Sequence, residues 1–457
     1  MSRPRRLLVL CQDFPPDVSA SSFCLLRLAK YLPEANWQPH FLALRNTWGT
    51  AHHDPGLAAE VPGSTRVDRV ASWSPEERID RYFGRGRFAS SPHARPNSRS
   101  PAARRPAPSA TRGRGLRSRL IGLLRPIWAL LWRTPDPMIW SRVPMVRRGR
   151  ALAQHYRFDA ILSMGPPHSL HLAGLALERA LGLPLVVDLQ DPWAVQPFGP
   201  DLNPLGRRLS PRFEARVVRS ADHVVLNTPR ALAFYAARYP DERSKLSTIP
   251  NGFDPAYRPK PRAIPNRRSS RRFQLCHSGV LYGQRDLRPF LTAMAEQVDA
   301  GVDLHLEQIG FHHPRFDLPG AIARHGLDDR VKLVPRLNHD AVLERMRDAD
   351  GFLVVQPNAP LQVPGKLYEM MLFDRPILAL SGDGATADLI RQHDLGAVAA
   401  HDDVAAIRTA LRDLIERSSS ESESTTRREP LDRYDGRRLA RELAELLDGV
   451  LSRRNLG

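Results

Sequence analysis

The sequence predicts an α/β protein made of two doubly wound domains, each a parallel sheet covered by helices on both faces. Two observations support this prediction. The chain has 457 residues, more than the ~250 to 300 residues at which a single hydrophobic core stops growing. In two long stretches, short apolar segments alternate with segments whose apolar residues recur at helical spacing, which is typical of parallel strands joined by crossover helices.

The first predicted domain covers residues 1–258 and begins with an apolar run at 6–11. This run ends at Gln12 and Asp13, which makes it too short for a secretory signal, so we interpret it as a buried strand. A loop and a helical pattern from Phe23 onwards follow it. Five more strands and a short seventh are predicted at residues 39–44, 66–71, 158–164, 184–189, 222–227 and 245–250.

The second predicted domain covers residues 272–417 and follows a basic, Pro-rich linker at 259–271. A polar Ser-rich segment at 418–429, which we expect to be flexible, precedes a last helical pattern at 430–457. The strands of this domain are predicted at residues 273–277, 302–310, 331–335, 351–356, 376–380 and 396–400.

The net charge of +18 is concentrated in one part of the first domain. Residues 76–150 hold 18 arginines and four acidic residues. The segment 74–135, which overlaps most of this stretch, forms an insert that is rich in Arg, Pro and Ser in its first part, where we expect disorder. We interpret residues 84–115 as a solvated linker without a binding function. Nucleic-acid binding is disfavoured because aromatic residues are sparse there.

The later part of the insert predicts docking on an anionic membrane surface. Trp128, Trp132 and Trp140 stand among leucines and arginines, and both aromatic and basic residues favour the interface of an anionic leaflet. No apolar stretch reaches the ~20 residues of a membrane-spanning helix. Three scattered cysteines give neither a disulfide framework nor a zinc site and indicate a reducing compartment. We therefore predict a cytoplasmic protein that is peripheral at the inner face of the cell membrane.

The strongest candidate for a binding site is the segment 363–380. Pro364 suits a first helical position, because its missing N–H would be unpaired there anyway. The amides of Gly365 and Lys366 are then free to bind an anion. Glu369 lies one turn further on, where its carboxylate can accept two ribose hydroxyls. The alternative is a capped amphipathic helix with a surface Lys–Glu pair.

A second candidate lies at residues 276–291, just after a predicted buried strand. Gly279 lets the backbone approach a ligand closely, and Arg285 can bind phosphate oxygens with two hydrogen bonds. An ordinary tight turn followed by a surface arginine is the alternative.

The third candidate follows two strands of the first domain. Asp188, Asp191 and Trp193 come at the end of an apolar strand that has no structural need for two carboxylates. His168 and His171 stand at the start of the preceding helix, and for His171 a packing role is the default interpretation. The sequence shows no metal-binding motif.

The fourth candidate is the loop 13–22 ahead of the first helix. Ser19, Ser21 and Ser22 are possible helix caps, and the amides of this loop can face a second ligand in a cleft between the domains.

Six motifs in this order resemble the family-four glycosyltransferases of the GT-B fold, especially the branch that builds bacterial surface polysaccharides. The resemblance covers nearly the whole chain apart from the insert and the Ser-rich segment. The motifs are FPPD at 14–17, DAILSMGPPHSLH at 159–171, DLQDPW at 188–193, STIPNGFD at 247–254, HSGVLYGQRD at 277–286 and VPGKLYE at 363–369.

The resemblance implies two Rossmann-like domains facing each other across a cleft, with the last helix crossing back to the first domain. The second domain would bind a nucleoside diphosphate sugar, and the first would bind a saccharide acceptor. We expect this acceptor to be lipid-linked. Transfer would retain the anomeric configuration and need no metal or other cofactor. The implied donor-binding residues are Gly279, Arg285, Gly365, Lys366, Glu369 and Asn251. The implied catalytic residues are Asp191, Asp188 and His168, and Ser19 and Ser21 would line the acceptor or phosphate loop.

The chain departs from the family pattern in the early loop, where the residues SASS at 19–22 replace a segment that usually contains glycine, and at three further positions. Leu361 stands where the family often has a first glutamate, eight positions before Glu369. Val280 replaces a basic residue and Gln190 replaces a histidine. Two other functions therefore stay open: a sugar-nucleotide 2-epimerase of the same fold, and a non-catalytic relative that acts as a scaffold.

Overall fold

The computed structural model describes residues 3–45, 53–71, 134–195, 204–259, 272–420 and 431–456. Within these ranges the chain forms two parallel sheets with helices packed on both faces of each. The predicted α/β class with two doubly wound domains is confirmed. The predicted linker, most of the Ser-rich segment and nearly all of the insert, including Trp128 and Trp132, lie outside the described residues.

The first sheet has seven parallel strands in the order β3-β2-β1-β4-β5-β6-β7. Its strands are β1 (Arg5–Cys11), β2 (Trp37–Arg45), β3 (Arg66–Ala71), β4 (Ala160–Gly165), β5 (Leu185–Leu189), β6 (His223–Leu226) and β7 (Leu246–Thr248). The helices described in this part of the chain are α1 (Ala20–Tyr31), α2 (Pro55–Ala59), α3 (Arg142–His155), α4 (Ser169–Leu181), α5 (Pro204–Ser220) and α6 (Pro229–Arg238).

The interior strand β1 shows why the first sheet is covered on both faces. Its last five residues are all buried. Because successive side chains of a strand point to opposite faces of the sheet, each face must be covered by apolar neighbours. Leu8 and Leu10 belong to one core, and Leu7 and Val9 to the other. The apolar run that predicts this strand thus also indicates that helices cover the sheet on both faces.

The second sheet has six parallel strands in the order β10-β9-β8-β11-β12-β13. Its strands are β8 (Phe273–Ser278), β9 (Leu304–Ile309), β10 (Val331–Val334), β11 (Gly351–Val355), β12 (Ile377–Leu380) and β13 (Gly396–Ala399). Its helices are α7 (Arg288–Asp299), α8 (Leu318–Arg324), α9 (His339–Asp348), α10 (Gly365–Met370), α11 (Ala385–Gln392) and α12 (Val404–Ser420).

The last helix, α13 (Gly436–Leu456), packs on the first domain. Ala440, Leu443 and Leu447 lie in the same apolar core as β1. Just before this helix the chain pairs with the loop after β7, where the Phe253 N–H donates to the Tyr434 carbonyl at 3.1 Å. A Cβ at Gly252 would lie 2.2 Å from that carbonyl oxygen, so only glycine allows this approach. The crossing back implied by the family resemblance is present.

Among the described residues, no helix is both long and apolar enough to cross a membrane. All three cysteines are free thiols, and Cys11 and Cys276 are buried.

Candidate functional site

The carboxyl ends of the two sheets face each other, and several hydrogen bonds between the domains come from the loops that follow the strands. The Thr228 hydroxyl, after β6, donates to the Leu361 carbonyl, after β11, at 2.7 Å. The His339 N–H, after β10, donates to Asp54, after β2, at 3.0 Å. In open α/β sheets this edge is where ligands bind. A ligand is therefore expected in the cleft between the domains.

Two cations of the second domain meet at this edge. The Lys366 ammonium, on α10, donates to the Ser278 carbonyl at the end of β8 at 2.6 Å. Arg285, on the loop after β8, donates to Gln356 at 2.6 Å, and its guanidinium lies 5.0 Å from the Tyr282 ring centre. A Cβ at Gly279, where φ is +150°, would lie 2.2 Å from the Lys366 nitrogen. The absence of a side chain at Gly279 therefore leaves room for the Lys366 ammonium.

The electrostatics of Lys366 show how close these cations are. Burial, together with the charge of Arg285, lowers the pKa of Lys366 to about 7. Burial also lowers the pKa of Arg285, while the charge of Asp191 on the opposite domain opposes this effect. A pair of desolvated cations in one cleft favours an anion between or beside them. The predicted donor residues Gly279, Arg285 and Lys366 are thus brought together.

Glu369 lies on α10, one turn after Lys366, and is held by a residue that the sequence analysis did not single out. The Nε2 atom of His339 lies 3.2 Å from its carboxylate. The His339 ring packs against Phe23 of the first domain and against Tyr257, with ring centres 4.6 Å apart in both cases. Although burial opposes it, the carboxylate of Glu369 raises the pKa of His339.

Asp191 is the predicted catalytic residue that reaches across the cleft. Its carboxylate accepts a hydrogen bond from the side-chain amide of Gln362, which comes from the second domain. Since Arg285 is also within electrostatic range, Asp191 lies near this cation of the second domain.

Asp188 lies one step deeper, within β5. It is only 9% exposed and receives the Gln190 amide at 2.8 Å on both oxygens. Burial raises the pKa of Asp188 to about 7, against which the Gln190 hydrogen bond acts. Gln190 thus stands where the resemblance leads one to expect a histidine, and its side-chain amide donates hydrogen bonds to the Asp188 carboxylate.

His168 is not brought to the open part of the cleft. Its ring is buried and stacks on Trp193, with ring centres 4.8 Å apart and an interplanar angle of 10°. Burial lowers the pKa of His168 far below its usual value, and that of His171 to about 3. His171 bonds to Ser163 at 3.0 Å, so the packing role expected for it is present.

Asp136 positions α4, the helix that follows His168. No local sequence pattern marks Asp136 for this role. Its carboxylate accepts the Ser169 N–H at 2.7 Å and the Ser169 hydroxyl at 2.8 Å. It therefore caps α4 from a distant part of the chain, in the way a local N-cap residue would.

The first-domain loop 13–22 has the predicted cap. Ser19 is the N-cap of α1 and accepts the Ser22 N–H at 3.2 Å, while Ser21 lies in the first turn and is half-buried. Near them, burial raises the pKa of Asp13 to about 6, although a hydrogen bond from Ser19 opposes this. Arg336 of the second domain reaches the Val18 carbonyl at 3.5 Å, so this loop lines the cleft.

The two remaining donor candidates occupy different surroundings. Gly365 begins α10, and a Cβ built on it would meet nothing within 4 Å, so its backbone faces open space. Asn251 is half-buried in the loop after β7, beside the residues that pair with the segment before α13. Over the described parts of the chain, no group of three or more His, Cys, Asp or Glu side chains could hold a metal ion.

The residues that the sequence analysis missed share one property. His339, Gln362 and Arg336 each act through a partner far away in the chain. A signal was available only for Gln362, which directly follows Leu361 in the segment before the VPGKLYE motif.

Two family models match the chain. Residues 100–257 match Glycosyltransferase Family 4, and residues 272–417 match Glycosyl transferases group 1. The HepE protein of Anabaena, solved in complex with UDP, shares the fold with a TM-score of 0.62 at 16% identity, over 97% of this chain and 100% of that one.

Two curated relatives are similar over part of their length. The D-inositol 3-phosphate glycosyltransferase of Arthrobacter sp. (strain FB24) is 28% identical over 48% of this chain and 54% of its own. The 2-deoxystreptamine glucosyltransferase of Streptomyces kanamyceticus is 25% identical over 54% of this chain and 65% of its own. The matched segments thus span between about half and two thirds of those relatives. A segment in each half of the chain, residues 100–257 and residues 272–417, thus matches a glycosyltransferase family model.

Proposed function

We propose that this protein transfers a sugar from a nucleoside diphosphate sugar to a saccharide acceptor. One observation carries the proposal: Lys366 and Arg285 converge in the cleft, with Glu369 one turn further along α10 and Asp191 opposite. This arrangement suits a diphosphate on the cations, a ribose on Glu369 and the transferred sugar next to Asp191. The family domains on both sides of the cleft support the same activity.

In the proposed reaction, the bond between the anomeric carbon and the diphosphate oxygen breaks, and the acceptor hydroxyl oxygen bonds to that carbon. The nucleoside diphosphate leaves with the bonding electrons, and its developing charge is stabilised by Lys366 and Arg285. The proton of the acceptor hydroxyl passes to a carboxylate of the first domain, which we assign to Asp191. The reaction needs no metal in this scheme, because the two side chains supply the positive charge. The acceptor oxygen attacks from the face of the sugar that the diphosphate leaves, and the anomeric configuration is therefore retained.

For the acceptor we propose a lipid-linked saccharide used in cell-surface polysaccharide synthesis. The support is the basic stretch at 76–150 with 18 arginines, which suits a protein held at the inner face of a membrane. In its described part, α3 exposes Arg142, Arg147 and Arg150. The named substrates of the two curated relatives, D-inositol 3-phosphate and 2-deoxystreptamine, differ from each other, so an acceptor is not inferred from them.

Ligand binding tests the nucleotide part of the proposal. We expect one nucleoside diphosphate among UDP, GDP, ADP and dTDP to raise the melting temperature, since a ligand that binds only the native state stabilises it. Lys366→Met should abolish this shift. If calorimetry detects no binding of any of the four, the chain is a scaffold and the proposed activity is refuted.

Product analysis with a labelled donor tests the transfer. A glycosyltransferase consumes the donor only when an acceptor is present, whereas a 2-epimerase converts it alone. Conversion of the donor to its 2-epimer without an acceptor would contradict sugar transfer.

Vesicle flotation tests the membrane part. We expect the protein to float with anionic vesicles and to be released as salt is raised, because basic residues contribute about 1 kcal/mol each near an anionic surface and this attraction is screened. Equal partition to neutral vesicles would refute it.

A further inference from the structure

Gln362 lies between the two domains, and only one of the two polar atoms of its side-chain amide has a hydrogen-bond partner. The residue is 93% buried, since its exposure is 7%. Its Nε2 donates to Asp191, while its Oε1 is a buried acceptor without a hydrogen-bond partner. A buried acceptor left unpaired costs about 1 to 3 kcal/mol. Such an atom in a ligand-binding cleft is explained if a ligand supplies the donor.

The backbone around Gln362 is fixed from both domains. Its carbonyl accepts the Thr386 hydroxyl at 3.0 Å, and its N–H donates to the Ala359 carbonyl at 3.2 Å. The preceding carbonyl, that of Leu361, accepts the Thr228 hydroxyl of the first domain. With the backbone held and Nε2 bound to Asp191, the direction of Oε1 is set before any ligand arrives. This is the preorganisation that a specificity contact requires.

An apolar slot lies against Gln362. It has a volume of about 170 Å³ and is lined by Pro192, Val195, Phe234, Pro360, Leu361 and Gln362. Val195 is 44% exposed, so the slot opens to solvent there. Gln362 provides the only side-chain amide among these six residues, and the other five lining side chains are apolar. Leu361 contributes an apolar wall at the position where the family often has a glutamate.

We propose that Gln362 and this slot select a donor sugar that carries an acylamino group, as in a 2-acetamido-2-deoxyhexose. The N–H of the acylamino group donates to the unpaired Oε1 of Gln362, and its methyl group enters the slot beside Leu361 and Phe234. A glutamate at position 361 would favour hydroxyl groups in the same place and would be disfavoured beside a methyl group. The inference rests on the proposed function, since it names the sugar that the same cleft holds.

Matched donors test this inference. The nucleoside diphosphate that binds best is used to choose the base, and two nucleotide sugars with that base are compared by calorimetry, one with a 2-acetamido group and one with a 2-hydroxyl. We expect the acetamido donor to bind at least about tenfold more tightly, which is the discrimination that a methyl-sized apolar contact gives. Gln362→Met should reduce the ratio to below about threefold.

Two further variants make the result specific. Gln392→Met, the same substitution at an exposed position of α11, should keep the full preference. Leu361→Glu should shift the preference towards the 2-hydroxyl donor. Equal binding of the two donors by the unmodified chain would overturn the inference while leaving the proposed function intact. Failure of every nucleoside diphosphate to bind would instead refute the proposed function itself.

Discussion

The two walls of the cleft hold their charged groups in different ways. On the second domain, Lys366, Arg285 and Glu369 are half-buried and stand on loops and a helix at the carboxyl edge of the sheet. On the first domain, Asp188 and His168 are at most 9% exposed and pack into the body of the domain. Burial lowers the pKa of His168 and raises that of Asp188, so it favours the neutral form of both.

This difference in burial and charge suggests that the two walls have different roles in binding. A ligand with a diphosphate brings its own negative charge, so the wall that meets it needs cations in place and gains from their partial desolvation. On the first-domain wall, burial favours the neutral forms of Asp188 and His168, so these two side chains are not arranged to balance the charge of a ligand. Asp191 connects the walls, because it belongs to the first domain but bonds to Gln362 and lies near Arg285.

The largest effect is expected on the second wall. Lys366→Met should reduce kcat/KM about 100- to 1000-fold, because it removes a preorganised cation from the place where leaving-group charge develops. Lys332→Met is the control, since that side chain is 67% exposed on β10. Steady-state kinetics measure both variants. Similar rates for the two would show that the diphosphate binds elsewhere.

Asp191→Asn tests the residue that bridges the walls. We expect kcat to fall about 100-fold, as is typical for loss of a group that moves a proton in the transition state, while nucleoside diphosphate affinity stays within about threefold. Single-turnover kinetics and calorimetry separate the two quantities. Unchanged turnover would remove Asp191 from the catalytic role.

Asp188→Asn tests the first wall by stability. The folded-state pKa of Asp188 is raised to about 7, so the protein loses stability as the pH rises from about 4 through 7 and this buried carboxyl ionises. The variant should therefore be about 2 kcal/mol more stable than the parent at pH 8. Its advantage should shrink as the pH is lowered from 7 towards 4.

Urea unfolding between pH 4 and pH 8 measures this effect. Asp299→Asn, at an exposed position of α7, should show no comparable gain. A pH-independent difference between Asp188→Asn and the parent would contradict the burial of a titrating carboxyl.

The smallest effect is the pH dependence of ligand binding. The pKa of Lys366 is lowered to about 7 in the free protein, and a bound diphosphate should raise it by direct attraction. Affinity should thus be highest below pH 7 and fall by up to about tenfold per pH unit above it. Calorimetry in buffers of different ionisation enthalpy should detect proton uptake at pH 8. Lys366→Arg should bind without this uptake, and equal uptake by that variant would assign the proton to another group.

Much of the architecture was predictable because its signals are local. The strands follow apolar runs such as residues 6–11, and the N-cap at Ser19 depends on a residue three positions away. The spacing of Lys366 and Glu369 places both on one helix. None of these features needs information from beyond a few residues.

Several features of the site were not predictable in this way. Asp136 caps α4 across 33 positions, and Gln362 meets Asp191 across 171 positions. The position of Leu361 was recognised as a departure from the family, but its packing against the first-domain core depends on how the two domains meet.

The sequence by itself determined the two parallel sheets, their order along the chain and the helix that carries Lys366 and Glu369, because alternating hydrophobicity and helix caps act within one element. The tertiary structure alone decided that Arg285 lies beside Lys366, that His339 holds Glu369 and that the amide of Gln362 crosses to Asp191. These contacts join loops from different strands or domains, and their partners are fixed by the packing of both sheets and not by any local pattern of residues.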